Sequence, residues 1–188
     1  AAPVEKMRAL GLTVYASQPN RLEDIAGQLE RFGQLAGSEA QAREAAEHFR
    51  QRLAKLRRDN ADKPPVRVFY QIWKAPLMTV GGPQIISSAI QICGGENVFG
   101  NLAQMAPTVS VEAVLAADPE AIVATGMGDA RPEWLNDWNK WTRMTAVKRG
   151  NLFHINPDLL QRHTPRILDG AAQLCADLDV ARSRRPAK

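Results

Sequence analysis

The sequence predicts an α/β protein: a three-layer α/β/α lobe with a parallel sheet, preceded by a long helix and by part of a second α/β unit. Three observations carry this. Runs rich in β-branched and aromatic residues at 66–73, 121–125 and 152–155 have the length and composition of strands. Helical periodicity fills the gaps, so the order after Pro65 is β-α-loop-α-β-α-β-α. Alternation of this kind favours parallel strands, because each crossover helix returns the chain to the same end of the sheet. A charge-rich helical stretch over 39–59 stands before the first of these strands.

Taken in order, residues 4–10 read as the end of a helix that Gly11 closes. Leu12-Thr13-Val14-Tyr15-Ala16 is a short strand. Gln18-Pro19-Asn20 is a turn, and Asn20 is placed to cap a helix over 21–36. There Leu22, Ile25, Leu29 and Phe32 recur at helical spacing, and Gly37-Ser38 breaks the pattern. Over 39–59, Ala42, Ala45, Phe49, Leu53 and Leu56 line one side, while the other is dense in charge and solvated. Asp62-Lys63-Pro64-Pro65 ends this helix, and 66–73 follows as a buried strand. Residues 74–82 form the loop at its C-terminal end, where α/β folds present ligands.

A helix over 83–93, begun by Pro83, stops at Gly94-Gly95, and 96–99 is a turn with a short extended piece. Ser110 caps a helix over 111–117 without a full capping box, and Asp118-Pro119 stops it. Strand 121–125 leads into the loop 126–130, and Pro132 opens a helix over 132–141. Strand 152–155, the loop 156–163 and a final helix over 164–181 complete a Rossmann-like lobe.

The 188 residues suffice for one sizeable core and part of a second. With 45% hydrophobic and 23% charged residues, the composition is that of a water-soluble globular protein. No apolar run approaches the roughly 18 residues of a membrane span. The start, Ala1-Ala2-Pro3-Val4-Glu5-Lys6, lacks the basic-then-apolar layout of a signal peptide. The net charge of +4 gathers in 50–58, near Glu44 and Glu47, and in a tail over 182–188. These read as a solvated helix face and a frayed end. A nucleic-acid surface would interleave stacking aromatics with its basic residues. Cys93 and Cys175 lie 82 apart, which fits no compact metal motif. Two buried thiols and one long-range disulfide both remain open at this point.

No residue constellation suggests catalysis, and no cofactor or metal is expected. His154 lies inside a strand. His163 is in a loop, where it could meet haem iron or cobalt, yet no second ligand accompanies it. Ser87-Ser88 lack the strained elbow of a nucleophile, and Gly126-Met127-Gly128 lacks the fuller phosphate-binding pattern. Trp134, Trp138 and Trp141, at i, i+4 and i+7, share one face of a helix. Docking of that face on the sheet is the expectation, over a stacking platform for a sugar or corrin.

Five stretches carry a family likeness: Val68-Phe69-Tyr70-Gln71, Ile92-Cys93-Gly94-Gly95-Glu96-Asn97-Val98-Phe99, Val109-Ser110-Val111-Glu112-Ala113-Val114-Leu115, Asp118-Pro119-Glu120-Ala121-Ile122-Val123 and Thr164-Pro165-Arg166-Ile167. With them the chain resembles the class III substrate-binding proteins of ABC importers, whose members bind vitamin B12, siderophores or haem. The likeness is greatest to the cobalamin binders. It covers about 1–180.

The resemblance implies a periplasmic, non-enzymatic protein that captures its ligand between two lobes and presents it to a permease. It divides the chain into a remnant of an N-terminal lobe (1–37, a βα unit), an interdomain helix (38–60) and a C-terminal α/β lobe (61–188). Most of the N-terminal lobe would then lie outside this chain. Its exposed stump, 4–37, is expected to self-associate. The resemblance further implies a Cys93–Cys175 disulfide. It implies that Glu112 docks on permease arginines. The loops 73–82 and 156–163 would face the ligand, with Trp73, Met78, Arg162 and His163 as contacts. The alternative for Trp73 is core packing at a strand end.

Where cobalamin binders have aromatics, this chain has Met78, Ala106 and Leu159-Leu160, while the arginine is kept as Arg162. A siderophore, haem or a non-binding role are therefore the alternatives within the class. A metal-chelatase-like enzyme is the alternative outside it; it would have to draw on Asp158, Arg162 and His163.

Overall fold

The computed structural model describes residues 2–126, 128 and 130–186; Met127 and Asp129, in the expected 126–130 loop and its glycine signal, lie outside the described residues, as do the last two residues of the basic tail. Helices α1 (Ala2–Ala9), α2 (Asp24–Ala36) and α3 (Glu39–Asn60) lead into β1 (Val66–Trp73). Then come β2 (Met78–Thr79), α4 (Ile85–Ile92), β3 (Gly95–Asn97), α5 (Val111–Ala117) and β4 (Ala121–Ala124). A 3-10 helix (Glu133–Lys140), α6 (Thr145–Lys148), β5 (Leu152–His154), α7 (Pro157–Leu160) and α8 (Ile167–Ser183) follow.

The sheet runs β2-β1-β4-β5. β1, β4 and β5 are parallel, with Tyr70 opposite Val123 and Val123 opposite Phe153. On the other side of β1, β3 pairs in parallel with its first half and β2 antiparallel with its second. Both faces of the sheet are covered. Val66, Val68, Tyr70, Ala121 and Val123 point into a core shared with α2, α3, α4 and α8. Phe69, Ile122 and Ala124 point into a second core with α5, the 3-10 helix and α6. Burial on both sides is why these strands read as almost unbroken apolar runs.

The N-terminal part departs most from expectation. Residues 12–16 are not a strand: the chain there is irregular. A strand needs a hydrogen-bonded neighbour, and none lies beside this segment among the described residues. Instead the Arg31 guanidinium donates to the Tyr15 hydroxyl at 2.6 Å, and the Tyr15 ring meets Phe32 edge-on at 5.9 Å. Nor does Asn20 cap α2. The helix starts later, and the Asp24 carboxylate accepts the N–H of Asn20 at 3.0 Å and of Arg21 at 2.9 Å. At its other end Gly37 takes the left-handed conformation (φ 67°) that lets the chain reverse into α3.

Other boundaries shift for local reasons. The 74–82 loop contains β2, and the extended piece near 96 is β3. Pro83 stands outside α4, which Gln84 caps by accepting the Ile86 N–H at 2.5 Å. The 132–141 segment is 3-10 rather than α-helical. The last helix begins at Ile167, after a turn at Thr164-Pro165-Arg166. The tail is ordered through Arg185 rather than frayed. Arg182 donates to the carbonyls of Pro64, Cys93 and Gly94. Arg185 donates to Glu120 at 2.8 Å and to the Pro65 carbonyl. Arg149 reaches the same carboxylate at 2.9 Å. Burial opposes charge on Glu120, but these donors outweigh it and hold the carboxyl below its ordinary range.

Asp177 on α8 shows the opposite balance. One of its oxygens is buried without a partner, and burial pushes the carboxyl from 3.8 up to about 6. A folded-state value above the unfolded one means that the native state holds the extra proton between pH 4 and 6, so stability from this group falls as pH rises through that window. Asp177→Asn is therefore expected to match the parent near pH 4 and to exceed it at pH 7.5 by about 1 kcal/mol, after allowance for solvent screening. Urea unfolding at the two pH values checks this; an unchanged difference between them would contradict it.

Candidate functional site

The C-terminal ends of β1, β4 and β5 lie along one end of the sheet, which strand spacing makes roughly 15 Å wide from β2 to β5. β1 leaves the sheet at Trp73, which turns its ring outward: it is 37% exposed, and its indole N–H donates to the Ala75 carbonyl at 3.0 Å. Core packing is thus not the role of this tryptophan. Met78 sits opposite Trp73 across the β1–β2 ladder and bridges to Thr108 on its far side. Three further backbone bonds lay the segment 102–108 along 79–82: Thr79 to Pro107, Gly81 to Met105 and Gly82 to Leu102, each 3.0–3.1 Å. Continued from the Met78–Thr108 bridge, this register sets Ala106 opposite Val80.

The approach is close because residue 81 is glycine. A Cβ there would stand 1.9 Å from the Gln104 carbonyl oxygen and 2.6 Å from that of Leu102. Two residues escaped the sequence reading. Met105 joins this wall, and Gln18 donates to its sulfur at 3.2 Å, tying the N-terminal segment to the C-terminal lobe. No local pattern marks either residue, since the contact spans 87 positions.

The loop after β5 supplies the second part. Asn156 accepts the Asp158 N–H at 2.8 Å and so starts α7. Arg162 is exposed and donates to Asp158 at 2.7 Å, which aims the guanidinium within its own loop. His163 is half-buried, and burial lowers its imidazole pKa, favouring the neutral form. Gln161 donates to the Thr125 hydroxyl at 2.6 Å and pins this loop to the end of β4. Leu160 is fully buried in the core, so of the Leu159-Leu160 pair only Leu159 is left at the surface. Among the described residues no cluster of three or more His, Cys, Asp or Glu could hold a metal ion. The chelatase alternative therefore finds no such group around Asp158 and His163.

Glu112 projects fully exposed from the first turn of α5. Its own backbone N–H, and then the Ser110 hydroxyl, hold the carboxyl below its ordinary value, so it is charged at neutral pH. Ser110 also caps the helix, accepting the Ala113 N–H at 3.1 Å. At the other end of the lobe, Cys93 and Cys175 form a disulfide with Cα atoms 4.7 Å apart, joining α4 to α8.

Trp138 does dock on the sheet. It is buried, meets Phe69 edge-on at 5.7 Å and donates its indole N–H to the Gln71 side chain at 2.7 Å. Trp134 and Trp141 are only half-buried. His154 lies on β5 as expected; burial and then the charge of Arg131 lower its pKa. No described helix is long and apolar enough to cross a membrane.

The family model described as periplasmic binding protein matches residues 2–159. The vitamin B12-binding protein of Vibrio cholerae serotype O1 is 34% identical over 180 residues, covering 95% of this chain and 64% of that protein. That of Yersinia pestis is 34% identical over 176 residues, covering 94% and 61%. The chain thus spans a little under two thirds of these relatives' length. In the crystal structure of the periplasmic vitamin B12-binding protein BtuF of Vibrio cholerae, the match has a TM-score of 0.86 at 32% identity, covering 96% of this chain and 70% of that one. The periplasmic haem-binding protein RhuT of Roseiflexus matches with a TM-score of 0.82 at 17% identity, a likeness of fold.

Proposed function

The chain belongs to the periplasmic binding protein family, and we propose that it is the ligand-facing C-terminal part of a non-enzymatic solute-binding component of an ABC importer, with a corrinoid as its ligand. The observation that carries this reading is the sequence identity to vitamin B12-binding proteins over nearly the whole chain. The outward Trp73 and Met78 opposite it support it, because a flat, largely apolar ligand is held by such a face with few polar contacts. On this reading 61–188 is one lobe, 38–60 the connecting helix, and 1–37 a part of the facing lobe. Arg162 and His163 form the polar edge of the site.

Glu112 is the docking carboxylate for a basic permease surface: it is exposed, charged and on a fixed helix turn, which favours steering and easy release. Exposed Met7, Leu10, Leu12, Tyr15, Phe32 and Leu35 gather on 4–37. A cluster of that size favours contact with another surface and supports self-association of the isolated chain. Iron-siderophore or haem binding is the second reading, favoured by the loss of aromatics at Met78 and Ala106.

The test is retention. Full-length protein is exposed to cyanocobalamin, haemin or a ferric siderophore, desalted, and its absorbance spectrum recorded. Near-stoichiometric cyanocobalamin is expected, with Trp73→Ala and Arg162→Ala each weakening it about tenfold. Retention of haemin alone would move the assignment to the second reading, and retention of nothing at micromolar concentration would end both. The elution volume of the 188-residue chain on the same column reports its self-association; a strictly monomeric peak at high concentration counts against that part.

A further inference from the structure

Behind the β1–β2 turn, on the side of the sheet away from α3 and α8, lies a small cleft of about 150 Å³. Its walls are the three indoles of Trp134, Trp138 and Trp141, with Leu77 and Val111. Its floor is already organised: Gln71 is 2% exposed and spends its side-chain oxygen on the Trp138 N–H at 2.7 Å. Trp138 in turn is braced by Phe69. The Gln71 amide nitrogen donates to the Trp73 carbonyl at 3.3 Å, so the floor leaves no polar demand of its own.

The rim is charged unevenly. Lys74 and Asp137 neutralise each other across 2.8 Å. Lys140 forms no salt bridge among the described residues; it lies over the Trp141 ring, 5.5 Å from its centre, and acts on Asp137 only at longer range. One positive charge is therefore left at the mouth of an aromatic cleft. The volume is well below the roughly 300–1,000 Å³ of a site for a drug-sized molecule, so one ring fills it.

We propose that this cleft is a binding site, separate from the ligand wall, for a single-ring aromatic monocarboxylate. The ring stacks among the tryptophans and the carboxylate meets Lys140 at the rim. The site does not rest on the corrinoid reading, since none of Met78, Arg162 and His163 takes part.

Benzoate is the probe, and tryptophan fluorescence excited at the red edge is the readout, in a Trp73→Phe background so that the signal comes from the cleft. Saturable quenching with half-effect below about 1 mM is expected for a ligand of this size. Lys140→Gln should weaken benzoate about tenfold while leaving the neutral analogue benzyl alcohol unchanged. Leu77→Trp, which fills the cleft, should abolish both, with an unaltered far-ultraviolet dichroism spectrum as the check on folding. Absence of saturation up to about 10 mM overturns the proposal. So does equal benzoate affinity in Lys140→Gln, which would leave the cleft a plain apolar socket for a side chain of another protein.

Discussion

Breaking the Cys93–Cys175 link is expected to lower the unfolding free energy by about 4 kcal/mol. The magnitude follows from the 82-residue separation: an unfolded chain closed into so long a loop has lost much of its freedom before folding begins. The bond also sits where it can act. Cys93 ends α4 and Cys175 lies mid-way along α8, two helices packed on the same face of the sheet. Both cysteines are buried, so alanine is the better replacement; serine would add two interior hydroxyls. Guanidinium unfolding of the double alanine variant, beside the parent with and without reductant, gives the measurement. The reduced parent and the variant should agree, with melting lowered by about 10 °C. A loss below about 1 kcal/mol in both would mean that the unfolded chain is already compact across this loop.

Gly81→Val is expected to cost about 3 kcal/mol and to remove ligand retention as well. The added atoms collide with backbone carbonyls of Gln104 and Leu102, which cannot rotate away as a flexible side chain would. Relief requires the segment 102–108 to move off 79–82, breaking the bonds that hold it along the chain after Met78. The effect on binding should therefore exceed that of Met78→Ala, although residue 81 has no side chain to offer a ligand. Thermal melting and cyanocobalamin retention, run in parallel, check both parts. A stable variant with full retention would show that the wall tolerates displacement.

The sequence made the sheet legible because its strands are buried on both faces. Val66–Trp73 and Ala121–Ala124 leave little else for such apolar runs to be. It misled at 12–16, where β-branched residues have the propensity of a strand but no neighbour to pair with. Two- and three-residue strands such as β2 and β3 are below the length at which periodicity says anything. The spacing of the three tryptophans is that of an α-helical face, and nothing in the sequence marks 133–140 as the tighter 3-10 helix that forms. At the site, the expected contacts Trp73 and Arg162 are both exposed, the first at the end of β1 and the second in the loop after α7. Met105, Gln18 and the Glu120 cluster could not, since their partners lie 29 to 87 residues away.

The arginines at the end of α8 have a consequence for the order in which the lobe is made. Arg182 and Arg185 fasten onto the carbonyls of Pro64, Pro65, Cys93 and Gly94, and Arg185 onto Glu120. Synthesis delivers the chain from its N-terminus. The entrance of β1, the end of α4 and the carboxylate before β4 must therefore wait, unfastened, until residue 185 has emerged. The same helix brings the second cysteine. The closing contacts of the lobe, two arginines and one half of the disulfide, thus all arrive on its last helix or just beyond it.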